Sequence, residues 1–281
     1  MKEIISKGTH VLFREGIINY IKRKLNITYL DSIMTYTIDY RGKKTKIILN
    51  RKFGFVDMMI FKHGIYEKDI IDDIYDELDE TKVMLDIGSN IGQHSLLLSS
   101  YCKQIYAFEP IPKVYEQFRS SIAKNDIKNI KTFNIGISDR NETKEFNFID
   151  NHAGASSFID RADEHAHKIT VTTNTLKNIL GDTSFDVMKI DVEGYEAVVI
   201  LGNQEIILKN RPVIFVEYDR KWILEEGSHT PEELYNFFIE NGFQIYSRIQ
   251  NKNIAQEDFN KIFQDNWVIK PISDFHKNKQ D

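Results

Sequence analysis

The stretch Val83-Met84-Leu85-Asp86-Ile87-Gly88-Ser89-Asn90-Ile91-Gly92 decides the fold. It opens as a short apolar run ending in an acid, turns through two glycines, and continues into a helical pattern over residues 92–100. The same order recurs downstream. Residues 104–108 run into Glu109 and a helical pattern over 114–124, and residues 185–190 run into Asp191 and a helix expected to reach about Asn210. Residues 212–216 run into Glu217, ahead of a helix over 231–241. Further strands are expected at 130–134, 243–249 and 266–269, and a hairpin-like insert places strands at 144–148 and 168–173. Short apolar strands alternating with helices predict βαβ units, hence an α/β fold whose mostly parallel sheet is covered on both faces.

In such a sheet ligands sit at the carboxyl ends of the strands, where strand order reverses. Four exits carry an acid: Asp86, Glu109, Asp191 and Glu217. One acid there is an ordinary helix cap; four on one rim point to a site. The first turn sets what that site can hold. Gly88 permits the tight turn, and Gly92 is expected to let the helix pack closely on the sheet. A dinucleotide fingerprint needs glycine at two further positions, which are Asn90 and Gln93 here, and no G-x-x-x-x-G-K-[ST] loop occurs. The turn therefore suits a nucleoside whose far end is an amino acid. Glu109, 21 residues after Gly88, can accept from both hydroxyls of a ribose and disfavours a phosphate on it. S-Adenosylmethionine meets these demands, with Asp86, Gly88, Ser89, Asn90, Gly92 and Glu109 as its expected binding residues.

Working outward, the 281 residues carry 37 basic and 42 acidic side chains, a net charge of −5, with 41% hydrophobic and 28% charged residues. That is an ordinary globular composition. A single cysteine, Cys102, rules out an intrachain disulfide and a Cys-rich zinc site, and no metal site is assigned. No uncharged apolar run reaches the ~18 residues of a membrane span. Charges inside the first 20 residues argue against a signal peptide, so a cytoplasmic protein is expected. Residues 1–50 hold ten Lys or Arg against four acids, whereas 51–80 hold four against nine. Phe13, Ile17, Ile21 and Leu25 form the stripe of a basic amphipathic helix. It reads first as a helix packed across the domain end, and second as a membrane-surface or partner contact. Residues 35–40 and 45–49 flank a Gly-containing turn as a hairpin, and 67–78 make a helix with an acidic face. The expected organisation is an N-terminal helix and hairpin region at 1–63, a catalytic domain at 64–274, and a frayed tail at 275–281.

Residues 85–92, 107–110, 189–196 and 211–217 together resemble the FkbM family of S-adenosylmethionine-dependent methyltransferases, and Gly154-Ala155-Ser156-Ser157 and residues 171–176 resemble that family's central insert. The similarity spans residues 64–270. It implies the Rossmann-like, seven-stranded sheet of class I methyltransferases with the last strand antiparallel. It further implies methyl transfer to oxygen, typically a hydroxyl of a glycan or a small-molecule metabolite. Lys177 stands where the family usually has an Asp, which predicts a local change at a helix start.

Such an enzyme must align the acceptor oxygen with the methyl and help remove the hydroxyl proton. Asp191 ranks first as the active-site carboxylate and Glu193 second. His152, just before the insert's Gly154-Ala155-Ser156-Ser157, is a further candidate base. Glu217 and Tyr218 are expected to shape the acceptor pocket, and His94 to lie as a polar group beneath the cofactor. An N-methyltransferase would favour an Asn-Pro-Pro-Tyr-like sequence where this chain has Asp191-Val192-Glu193-Gly194. An RNA methylase would use the basic first 50 residues, yet the net charge of −5 argues against a broad phosphate-tracking surface. The expected partner is a glycan or small-molecule acceptor, with no nucleic acid.

Overall fold

The computed structural model describes residues 33–50, 54–149, 156–159 and 166–272. The amphipathic segment at 13–25 and His152 lie outside the described residues. A hairpin opens the structure, β1 (Ile33–Tyr40) against β2 (Lys43–Asn50), turning at Arg41-Gly42 as its sequence requires. Two helices follow, α1 (Phe55–His63) and α2 (Lys68–Asp76). The second buries Ile70, Ile71 and Ile74, the stripe read from sequence, and turns its acids outward.

The central sheet then builds as β3 (Val83–Ile87), α3 (Gln93–Leu98), β4 (Gln104–Phe108), α4 (Pro112–Asn125) and β5 (Ile130–Phe133). A small separate sheet interrupts it, made of β6 (Gly136–Ile137), β7 (Glu142–Ile149) and β8 (Ala166–Asn174) in the order β6-β8-β7. The chain returns through α5 (Leu176–Leu180) to β9 (Val187–Ile190), α6 (Glu196–Leu201), α7 (Gln204–Asn210) and β10 (Val213–Asp219). It ends with α8 (Arg220–Glu226), α9 (Pro231–Glu240), β11 (Phe243–Ser247), β12 (Lys252–Asn253), α10 (Gln256–Phe259) and β13 (Gln264–Pro271). The strand order is β12-β11-β13-β10-β9-β3-β4-β5. β5, β4, β3, β9 and β10 are parallel, and β13 inserts antiparallel between β10 and β11. This is the expected Rossmann-like sheet, with the two-residue β12 as an eighth strand on its edge.

Successive side chains of a strand point to opposite faces, so the sheet has two cores. Leu85, Ile87, Met188, Ile190, Ile214 and Val216 pack on one face with α6 and α9. Met84, Ile105 and Ala107 pack on the other with α2, α3, α4 and the apolar face of the hairpin, Tyr36, Tyr40, Ile47 and Leu49. The hairpin is also tied by hydrogen bonds: Ile48 N donates to Ser121 Oγ at 2.9 Å and Gln117 Nε2 donates to Ile48 O at 2.8 Å. The N-terminal hairpin thus completes the core on this face of the central sheet. Two expectations are corrected. The helix expected to run to Asn210 is two helices, α6 and α7, separated at Gly202 and Asn203. The strand expected to end at Val216 continues to Asp219, so Glu217 lies within β10 and not after it. Among the described residues no helix is long and apolar enough to cross a membrane.

Candidate active site

Strand order reverses between β3 and β9: the chain leaves β3 toward β4 and β5, then returns to β9 on the other side. The two strand exits meet there. A Cβ built on Gly88 would lie 1.8 Å from the carbonyl oxygen of Asp191, and Gly88 has φ +76, so glycine is required on both counts. Above this junction opens a cleft of about 940 Å³ of empty space, counting its open mouth.

One side of the cleft comes from the β3 and β4 exits. Gly88 N and Ser89 N both donate to Phe108 O, at 3.0 and 2.9 Å, which binds the two strand ends together. Asn90 then takes a left-handed conformation, φ +51, and its N–H donates to Glu109 Oε2 at 2.9 Å. Ile111 N donates to the other oxygen, Oε1, at 2.8 Å. The Glu109 carboxylate is therefore fixed by two backbone N–H groups while lining the cleft beside Gly88 and Asn90. Burial pushes its carboxyl up to about 7, against the opposing pull of those donors.

Three of the expected cofactor residues do not line the cleft. Asp86 is fully buried beneath it, where Ser95 Oγ donates to its Oδ2 at 2.5 Å. Ser89 is buried, its hydroxyl turned to Phe108 O at 3.3 Å. Gly92 serves packing, but against α4 and not the sheet: a Cβ there would strike the Phe118 ring at 2.0 Å.

The other side is acidic. Asp191, Glu193 and Glu217 each bring a carboxylate oxygen within 4.8 Å of the other two. Asp191 Oδ2 accepts from Lys189 Nζ at 3.0 Å, and the same ammonium reaches Gly88 O at 3.1 Å and lies 3.9 Å from Asp86 Oδ1. Burial by itself would lower the Lys189 ammonium, but Asp191, Asp86 and Glu67 outweigh it and hold it well above the usual lysine value. The Glu217 carboxyl is pushed up to about 9 by Asp191, then by burial and by Glu193. Glu217 keeps its proton at neutral pH as a result. Tyr218, its neighbour in β10, faces the opposite way and stacks on Trp267 with ring centroids 3.8 Å apart. The alternation of a strand thus removes Tyr218 from the acceptor pocket.

Three residues of the site were not found from sequence. Lys189 sits third in the buried strand Val187–Ile190, and a lysine inside an apolar strand needs an acidic partner. Its register partner on β3 is Asp86. Tyr66 and Glu67 line the cleft from the α1–α2 connection. Gln93 fixes them by accepting from Tyr66 N at 2.8 Å and donating to Tyr66 O at 2.7 Å. Burial and Asp191 push the Glu67 carboxyl up to about 7. His94 does not line the cleft; its Nε2 lies 3.9 Å from Glu67 Oε2, and burial with Lys189 lowers it to about 3. It is neutral across the physiological range and lacks the basicity of a proton acceptor.

Residues 86–245, more than half of the chain, match the Methyltransferase FkbM domain. The chain belongs to this family. It is a methyltransferase that uses S-adenosylmethionine. Curated relatives include the methyltransferase sdnD of Sordaria araneosa, 28% identical over 177 residues, covering 50% of this chain and 68% of the relative. The hexuronic acid methyltransferase AglP of Haloferax volcanii is 28% identical over 145 residues, 48% of this chain and 56% of the relative. The 2-O-methyltransferase NoeI of Sinorhizobium fredii is 28% identical over 162 residues, 51% of this chain and 65% of the relative. The chain thus spans less than two thirds of the last two. Among solved structures, an FkbM methyltransferase from Methylobacillus flagellatus aligns with a TM-score of 0.44 at 13% identity, over 76% of this chain and 52% of that one.

Proposed function

We propose that this chain is an O-methyltransferase whose acceptor is a hydroxyl of a glycan or a small-molecule metabolite. The observation that carries this reading is the salt-bridged Asp191, set with Glu193 and Glu217 against the turn that presents Gly88, Asn90 and Glu109. The cleft suits the donor. Gly88 and Glu109 line the cleft, Glu109 as a carboxyl group fixed by two backbone N–H groups, and no basic side chain lines it among the described residues. A pyrophosphate would find no counter-charge there, whereas an uncharged ribose and a cationic sulfur fit. Glu109 would accept from the ribose hydroxyls, and the backbone of Gly88 to Asn90 would flank the amino-acid end. Asp86 contributes from below, as a counter-charge to Lys189.

S-Adenosylmethionine, when bound, supplies a methyl on a positively charged sulfur that is already a good leaving group. What remains for the protein is to orient the acceptor and take its proton. Asp191 is placed for both, with Lys189 fixing its direction and balancing its charge. Glu217, protonated at neutral pH, can donate a hydrogen bond to an acceptor oxygen. Glu193 is the second carboxylate in reach of the same oxygens. One relative's name speaks of a hexuronic acid acceptor and another's of transfer to a 2-O position. The lining, which holds the acidic residues Glu67, Glu109, Asp191, Glu193 and Glu217 and no basic side chain among the described residues, also disfavours a nucleic-acid backbone. The cytoplasm is the proposed compartment, in keeping with the single unpaired and buried Cys102.

The test is transfer of a labelled methyl from S-adenosylmethionine to a panel of neutral, amino and uronic sugars, lipid-linked sugars and RNA, with the product position read by NMR. The reading expects a methyl ether on one hydroxyl class. Label on nitrogen or on RNA alone would overturn it.

A further inference from the structure

Glu193 has a left-handed backbone, φ +56, and is followed by Gly194 at φ +100. A non-glycine residue persists in that region only where its surroundings over-determine it. Two side chains do so here. From within the same motif, Glu196 Oε1 accepts from both Val192 N and Gly194 N at 3.1 Å. From outside it, Ser157 Oγ donates to the carbonyl of Glu193 at 2.7 Å.

Ser157 is itself fixed. It is 1% exposed, its hydroxyl accepts from Ile159 N at 3.2 Å, and its backbone exchanges hydrogen bonds with Asn147 of β7 at 2.9 and 3.1 Å. Asn147 Nδ2 donates in addition to Ile159 O at 3.1 Å, and Ile149 N donates to Ser156 Oγ at 2.9 Å. Ile159 closes against Gly194, where a Cβ would meet its Cδ1 at 2.5 Å. The short segment 156–159 is thus bound to the insert sheet on one side and to the β9 exit on the other.

We propose that Ser157 is a positioning residue for methyl transfer: its hydroxyl holds the Glu193 carbonyl, and so the left-handed turn that brings the Glu193 carboxylate to Asp191 and Glu217. Ser157 acts through Glu193 and not on the acceptor. The proposal rests on reading the acidic side of the cleft as the side of the chemistry.

Glu217 reports the position of Glu193 without any acceptor. It faces Asp191 and Glu193 at the β9 exit, Glu196 of α6 and Glu67 before α2, and Asp191 and Glu193 are among the groups that push its carboxyl up to about 9. The experiment is carbon-13 NMR titration of the full chain labelled at glutamate carboxyls, with the Glu217 signal assigned from Glu217→Gln. Glu193→Gln is expected to bring that titration down by about one unit, and Ser157→Ala by a similar amount. The double variant should fall no further than Glu193→Gln. Ser157→Thr, which keeps the hydroxyl, should titrate as the unaltered protein does. Turnover of the acceptor found in the panel should fall about tenfold in kcat for Ser157→Ala, with the donor KM within about twofold. If Ser157→Ala does not fold, Ser157→Cys, close in size and a weak donor, takes its place in the titration. An unmoved Glu217 titration, or shifts that add in the double variant, would overturn the proposal, as would a lower melting temperature with both readouts unchanged. Failure of the O-methyl reading would show separately, as transfer to no hydroxyl in the panel while the titration follows its predicted course.

Discussion

On the β3–β4 side of the cleft the groups that line it are fixed by backbone. Two N–H groups orient Glu109, two more bind the turn to Phe108, and the turn itself depends on glycine. On the β9–β10 side Asp191 and Glu217 are set by charge. Asp191 is held by Lys189, Lys189 by Asp86 below, and Glu217 keeps its proton because its neighbours are acids. The comparison teaches how the work divides. A backbone cradle suits a donor that is the same in every turnover, whereas a charge network is sensitive to proton transfer. Donor affinity and chemistry should therefore respond to different substitutions.

The largest effect should come from cutting the network at its centre. Lys189→Met keeps an apolar stem but leaves Asp86 and Asp191 without their shared cation. Breaking a buried pair costs about 3–5 kcal/mol, which corresponds to a melting temperature lower by about 10 °C in a domain of this size. Calorimetric melting at neutral pH checks this, and a loss no larger than that of a surface lysine substitution would show that the network is not a unit. Asp191→Asn should be next. It keeps the size of the side chain and removes the charge, so kcat should fall by about 100-fold or more, measured as labelled methyl transfer to the acceptor. Wild-type turnover would make Asp191 a scaffold residue only.

A smaller effect sharpens the electrostatic half of the comparison. Glu217 has its folded-state carboxyl raised above the unfolded value, so folding favours its protonated form. That contribution is complete below the ordinary glutamate value of about 4.3 and is lost as pH rises toward about 9. Glu217→Gln cannot lose it. The unaltered protein should therefore lose more melting temperature between pH 6 and 9 than the Gln variant does. Parallel curves would mean that Glu217 is not held protonated by its neighbours.

The same contrast explains what could be read from the sequence. The β3 turn was legible because its requirements are local: glycine where the backbone needs it, an acid at the following strand exit. Glu109 and Asp191 followed from strand ends alone. Lys189 was missed as a site residue because its function is defined across strands, by the register that sets it beside Asp86. The roles of Tyr66 and Glu67 are not legible in the sequence because Gln93, in a later helix, fixes the Tyr66 backbone. Tyr218 leaves the expected acceptor pocket because β10 runs past Val216, and strand alternation then turns Glu217 in and Tyr218 away. The break between α6 and α7 at Gly202 is not legible because the apolar pattern continues through it. Fold class needs only pattern; side-chain partners need the third dimension.

Calorimetric titration of S-adenosylmethionine into Glu109→Ala and Asp191→Asn side by side measures whether one side of the cleft binds the donor and the other does the chemistry. Glu109→Ala is expected to lose two charge-assisted hydrogen bonds, about 2–4 kcal/mol of donor affinity, while Asp191→Asn binds the donor within about threefold of the unaltered protein, since its loss falls on proton transfer. Equal weakening in both variants, or a donor affinity that survives Glu109→Ala, would contradict it.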